Sequence, residues 1–205
     1  ETDGTYPVTL TVKRNGNVLS QKTEDKTVVA FSGHTYYVSS VSGSDSNNGT
    51  SPTTPFATYK KGIDTLFAQN VNGGAGRQVL FKRGETFTND FSYAGSGGSI
   101  FGNKVGPYMI GAYGTGAKPI IQTVGSNVSP LGLNTTTKDV RVVDIEFRGP
   151  TGGSFADIYP AGQHYLFFRS KSSLLHRGLS NGSQRKTDNL LVDSEFTNHG
   201  DYEIY

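Results

Sequence analysis

A chain of 205 residues with 19 basic and 17 acidic side chains, net charge +2, is too evenly charged to point to nucleic acid as a partner. Its 27 glycines, with many Ser, Thr and Asn, fit a turn-rich all-β protein better than a helical bundle. The absence of cysteine removes disulfides and thiolate metal sites, no stretch has the length of a membrane span, and Glu1 does not open a signal peptide, so the chain reads as a mature or excised piece.

Residues 5–31 alternate apolar and polar. Tyr6, Val8, Leu10 and Val12 form one set, Asn15-Gly16-Asn17 turns the chain, and Val28 and Ala30 follow in a later strand, which is a hairpin or meander pattern. Two or three strands cannot close a sandwich. Gly4-Thr5-Tyr6-Pro7-Val8-Thr9-Leu10-Thr11-Val12 resembles the closing half of an immunoglobulin-like domain of the PKD type, so residues 1–33 are expected to be a partial β-sandwich.

Thr35-Tyr36-Tyr37-Val38-Ser39 follows as a strand, and Ser42 to Pro52 as a loop. Between Pro55 and Phe67, Tyr59, Ile63, Leu66 and Phe67 fall at helical spacing, with Thr58 as N-cap. A single amphipathic helix ahead of a strand stack is expected to cap its open end.

Beyond it, apolar runs occur at 79–81, 108–113, 119–124, 140–147, 165–168 and 190–196. One of them repeats. Asp139-Val140-Arg141-Val142-Val143-Asp144-Ile145-Glu146-Phe147 returns 49 positions on as Asp188-Asn189-Leu190-Leu191-Val192-Asp193-Ser194-Glu195-Phe196, with His164-Tyr165-Leu166-Phe167-Phe168-Arg169-Ser170-Lys171 offset by 25 from the first copy and 24 from the second. A strand every two dozen residues predicts a stack of rungs, because no rung can bury its own apolar face alone.

Tyr36-Tyr37-Val38, Gly43-Ser44-Asp45-Ser46-Asn47-Asn48-Gly49-Thr50, Pro55-Phe56-Ala57-Thr58 with its helix, Val79-Leu80-Phe81-Lys82-Arg83-Gly84-Glu85-Thr86-Phe87, and the later Ile110 to Ile121 occur in an order that resembles the start of right-handed parallel β-helix proteins. Secreted polysaccharide lyases of the pectate, alginate and chondroitin lyase type belong to that group. The resemblance implies an all-β chain in which a right-handed single-stranded parallel β-helix with an N-terminal capping helix occupies residues 34–205. The pattern stops at Asp201-Tyr202-Glu203-Ile204-Tyr205 without a cap, so further coils, or another copy or chain over this end, are expected.

Between Asp157 and Asp188 no acidic residue occurs, yet Arg169, Lys171, Arg177, Arg185 and Lys186 lie there with His164 and His176. Aligned on one side of a stack, such a run becomes a groove for a polyanion; as a solvated edge it only blunts exposed strands. A lyase must neutralise a uronate carboxylate and remove the neighbouring proton. Lys171, His176 and Arg177 are the residue types for that step, with Arg169, Arg185, Lys186 and His199 as substrate-binding candidates.

A glycosidase version would instead pair carboxylates such as Asp193 and Asp201. Asn198-His199-Gly200-Asp201 also reads as an ordinary turn, and the repeated acids Asp139/Asp188 and Asp144/Asp193 read as corner residues. No residue set is assigned to a metal. Asp45-Ser46-Asn47-Asn48-Gly49 offers oxygen ligands but lacks the distal glutamate of an EF-hand, so Ca²⁺ is the one candidate cofactor.

The expectation is an extracellular or cell-surface protein that binds or depolymerises an acidic polysaccharide, by β-elimination if catalytic. The alternative is a structural, fibre or adhesin segment.

Overall fold

The computed structural model describes residues 4–28, 31, 33–90, 94–95, 98–99, 104–125, 128–133, 136–150, 158–160, 163–175, 177–179, 190–197 and 202–204. Strands β1 (Gly4–Arg14) and β2 (Asn17–Val28) form an antiparallel hairpin. Asn15 and Gly16, with φ of 50° and 82°, supply the two left-handed residues that a two-residue hairpin turn demands. The turn falls at Asn15-Gly16 as the sequence indicates, Val28 ends the strand that follows it, and Ala30 lies outside the described residues. Among the described strands the hairpin pairs with no other.

β3 (His34–Val38) precedes the helix α1 (Tyr59–Leu66). Thr58 caps α1 as expected, its Oγ accepting from the Lys61 N–H at 3.1 Å. Tyr59, Ile63 and Leu66 are buried. Gly62 lets the helix lie close to the inner core, since a Cβ there would stand 2.8 Å from Val38 Cγ2 and 3.1 Å from Val79 Cγ2. The Tyr59 hydroxyl donates to the Pro130 carbonyl at 2.6 Å, tying the helix to a distant loop. At the other end Arg77, 5% exposed, donates to the Leu66 and Thr65 carbonyls. A cation there satisfies the carbonyls that a helix C-terminus leaves open.

The remaining strands are β4 (Arg77–Lys82), β5 (Thr86–Asn89), β6 (Ala94–Gly95), β7 (Gly98–Ser99), β8 (Val105–Tyr113), β9 (Ile120–Thr123), β10 (Leu131–Leu133), β11 (Lys138–Val143), β12 (Glu146–Arg148), β13 (Ile158–Pro160), β14 (Gln163–Phe168), β15 (Lys171–Ser173), β16 (Arg177–Leu179), β17 (Leu190–Val192), β18 (Glu195–Thr197) and β19 (Tyr202–Ile204). Two parallel sheets dominate: a first sheet in the order β17-β14-β11-β8-β4-β3 and a second in the order β18-β15-β12-β9-β5. From β4 onward these strands come as first-sheet, second-sheet pairs, and each pair lies one rung further along both. β10 pairs with β13 and β16 with β19, also in parallel. β6 and β7 form a small antiparallel pair.

The repeat offsets are the register of the first sheet. Val142 pairs with Phe167 and Phe167 with Leu191; Val143 pairs with Phe168 and Phe168 with Val192. Earlier rungs are longer, since Val79 pairs with Ile110 and Ile110 with Val142. The two-dozen spacing therefore holds only for the last three rungs. Extra residues fall between strands, where they lengthen a rung without moving the ladder.

Alternation along each strand separates an inner from an outer face. Tyr36, Val79, Ile110, Val142, Phe167 and Leu191 form one inner row. Phe87, Ile121, Phe147, Ser172 and Phe196 form the facing row. Successive rungs bend at Asp144, Arg169 and Asp193, whose φ values of 60°, 49° and 48° are all left-handed. Aspartate tolerates that region better than most residues, so Asp144 and Asp193 are corner residues; Asp188 lies outside the described residues.

Candidate functional site

The corner between β11 and β12 carries a cluster of three opposed charges. Asp144, its side chain 14% exposed, accepts from Arg83 at 2.6 Å and from Arg169 through Nε and Nη2, both at 2.9 Å. The Arg169 guanidinium also lies 4.4 Å from the Phe168 ring centre. Arg169, a substrate-binding candidate from sequence, is thus committed to a carboxylate one rung away.

Next to this corner the outer face of the second sheet presents two rows. Thr86, Ile120, Glu146, Lys171 and Glu195 form one, and Thr88, Gln122, Arg148, Ser173 and Thr197 the other. Lys171 Nζ lies 3.4 Å from Glu195 Oε2. Arg148 donates to Glu146 Oε1 through Nη2 at 2.6 Å and Nε at 3.1 Å. The two cations of the acid-free window whose side chains are described, Arg169 and Lys171, are therefore not unopposed in space. Parallel stacking places residues some two dozen positions apart side by side, which brings Asp144 and Glu195 onto Arg169 and Lys171.

Lys171 sits on β15, whereas Arg177 opens β16, whose partner is β19. His176, Arg185, Lys186, His199 and Asp201 lie outside the described residues, as does the Arg177 side chain. Of the expected catalytic and binding groups, the structure describes Arg169, at the bend between β14 and β15, and Lys171, at the start of β15, each in its own ion pair.

At the C-terminal ends of β9, β12 and β15 a groove of about 470 Å³ opens between Gln122, Thr123, Val124, Gly125, Arg148, Gly149, Pro150 and Leu174. Sequence reasoning missed it. The usable signal was Gly149-Pro150 directly after the repeated strand, where the chain leaves the sheet. Gln122 Nε2 donates to the Gly149 carbonyl at 2.9 Å and the Thr123 carbonyl at 3.0 Å, which fixes the amide at the groove floor. Behind it Asn89 and Thr123 are fully buried, and Asn89 Oδ1 has no hydrogen-bond partner.

The calcium reading of the 45–49 loop meets a loop already satisfied from within. Asp45 accepts from the Ala57 and Thr58 N–H groups and from Thr58 Oγ, Asn47 Nδ2 donates to the Pro55 carbonyl, and Asn48 Oδ1 accepts from Thr50 N–H and Thr54 Oγ. These are Asx-type turn bonds that tie the loop to the start of α1. Among the described residues no three His, Cys, Asp or Glu side chains are grouped for a metal.

Partial burial acts to raise the Asp45 pKa, but the Thr58 side-chain and backbone bonds, the Ala57 bond and nearby Lys61 together hold it below the ordinary 3.8. A carboxylate depressed on folding stabilises the fold above its unfolded pKa, and that contribution is lost as pH falls through the folded value. Asp45→Asn is accordingly expected to flatten the decline in urea midpoint below about pH 4. An acid limb identical to wild type would show that the loop carries no such linkage.

No family model matches the sequence, and no curated protein matches it. Among solved structures the chain is similar to the native GH136 lacto-N-biosidase from Eubacterium ramulus, at 24% identity and a TM-score of 0.51, over 68% of this chain and 27% of that one. A rhamnogalacturonan lyase aligns over 81% of this chain and 52% of its own length, at 18% identity and a TM-score of 0.43. This chain thus spans about a quarter of the lacto-N-biosidase structure. No described helix is long and apolar enough to cross a membrane. What the lacto-N-biosidase likeness establishes is the fold: these stacked parallel strands also occur within a carbohydrate-active enzyme.

Proposed function

We propose that residues 34–205 form a right-handed parallel β-helix in an extracellular carbohydrate-active protein, and that the outer face of the second sheet binds a polysaccharide. One observation carries the reading. Ile120 aside, both outward rows of that sheet are polar at every rung, while the first sheet has one outward row that is mostly apolar, Tyr37, Leu80, Gly111, Val143, Phe168 and Val192, and one that is mixed, Thr35, Gln78, Met109, Arg141, Leu166 and Leu190. Rungs recur at about 4.8 Å, close to the rise of one sugar in an extended glycan, so a polymer laid along the stack meets similar groups at each residue. Chains of hydroxyl donors and acceptors suit such a ligand.

The charge balance refines the ligand. Arg148, Lys171 and Arg169 each face a carboxylate, so the described face has little net field to concentrate a polyanion. An uncharged glycan, held by hydroxyl contacts, fits it better than a polyuronate. β-Elimination would require Lys171 to exchange Glu195 for a substrate carboxylate.

Affinity electrophoresis separates the cases. On this reading the full chain is retarded in gels containing neutral galactan or xylan, and retardation persists in high salt. Salt-sensitive retardation confined to pectate, alginate or chondroitin, with formation of unsaturated product, would restore the acidic-polysaccharide lyase. No retardation on any polymer removes the glycan reading.

A further inference from the structure

Leu174 is in an unexpected place. Its φ of 58° lies in the left-handed region, where a Cβ is penalised and glycine is not. Its backbone conformation has a local origin: Gly149 on the neighbouring rung packs so close that a Cβ there would stand 1.9 Å from the Leu174 carbonyl oxygen. That packing demands a bare residue at 149 and fixes the path at 174. It does not demand leucine at 174, because the side chain is 38% exposed at the lip of the groove, while its neighbour Leu175 is fully buried. Strain retained at an exposed apolar side chain points to a role for the side chain itself.

The groove supplies that role. Val124, 40% exposed, and Leu174 line the groove from the rungs of β9 and β15, with Gly149 and Pro150 on the β12 rung between them. Pro150 adds to the apolar wall. The floor is polar and fixed in advance: Gln122 is held by the Thr123, Arg148 and Gly149 carbonyls and Arg148 by Glu146. A volume of about 470 Å³ falls within the range of small-molecule sites. Apolar walls over a preorganised polar floor match a pyranose, which has one face of C–H groups and a rim of hydroxyls.

Resting on the glycan reading above, we propose that this groove is a subsite for one uncharged sugar ring, packed against Leu174 and Val124 and hydrogen-bonded by Gln122 and Arg148. Leu174 is then a residue that determines affinity at this subsite.

The test uses the full chain and two substitutions with opposite demands on the fold. Tetra- to hexasaccharides of β-linked galactose, N-acetylglucosamine and xylose are titrated by calorimetry, with oligogalacturonate as the acidic control. Leu174→Gly relieves the left-handed strain, so its melting temperature is expected to hold or rise. Its affinity for the neutral oligosaccharide that wild type binds is expected to fall about tenfold. Val124→Ser, which leaves the backbone alone, is expected to weaken the same ligand in the same direction and serves if Leu174→Gly does not fold.

Unchanged affinity in the folded variants would overturn the subsite while leaving a glycan elsewhere on the sheet. Tighter binding of oligogalacturonate than of any neutral sugar would overturn its uncharged character. Failure of wild type to bind any of these sugars would remove the glycan reading and the subsite together.

Discussion

Truncating Phe147 to alanine is expected to lower the unfolding free energy by about 3–5 kcal/mol. Phe147 is fully buried, and in its inner row it lies between Ile121 and Ser172. The cost is high because the void cannot close. The strands on either side are held in register by backbone ladders, so neighbouring side chains cannot approach one another to fill it, and the small Ser172 offers nothing to reach across. Urea denaturation followed by circular dichroism measures the loss, with an unchanged slope showing that the unfolding reaction is the same. A loss below about 1 kcal/mol would mean that the inner row tolerates a cavity and that packing along it is loose.

Asp144 carries the second large effect, through two separable contributions. Asp144→Asn keeps a residue that tolerates the left-handed region and removes only the charge, leaving Arg83 and Arg169 facing each other. A cost of about 2 kcal/mol is expected, between that of an exposed pair and a fully buried one. Asp144→Ala is expected to cost about 1 kcal/mol more, for the loss of a side chain suited to positive φ. The two arms differ as well. Arg169 is 50% exposed and Arg83 only 22%, so a double-mutant cycle should assign the larger coupling to Arg83. Equal costs for Asn and Ala would remove the backbone contribution, and a negligible cost for both would reduce the cluster to a solvated surface contact.

The rungs were legible because stacking imposes a simple rule on sequence: residues that touch along the stack are one rung apart in the chain. Val143, Phe168 and Val192 show it directly, since the offsets between them in sequence are the pairings of the sheet. Thr58 and the helical spacing of Tyr59, Ile63 and Leu66 were equally clear, being set within a few turns of chain. Strand β15 was hidden, because Lys171-Ser172-Ser173 has no apolar run and is a strand only through its partners β12 and β18. Arg77 was hidden too, as its role at the end of α1 depends on where the helix comes to rest.

Sequence by itself determined the β class, the helix with its cap, the rung spacing of the final repeats and the corner residues Asp144 and Asp193. Each of these follows from local conformational preference or from a period read along one chain. Only the tertiary structure decided the electrostatics and the site. Arg169 and Lys171 look unopposed between Asp157 and Asp188, yet they meet Asp144 and Glu195 across rungs. The groove is lined by Val124 and Leu174, side chains some fifty positions apart, with Gly149 and Pro150 on the rung between them. Charge and shape are properties of neighbours in space, and in a parallel stack the decisive neighbours lie a full rung away along the chain.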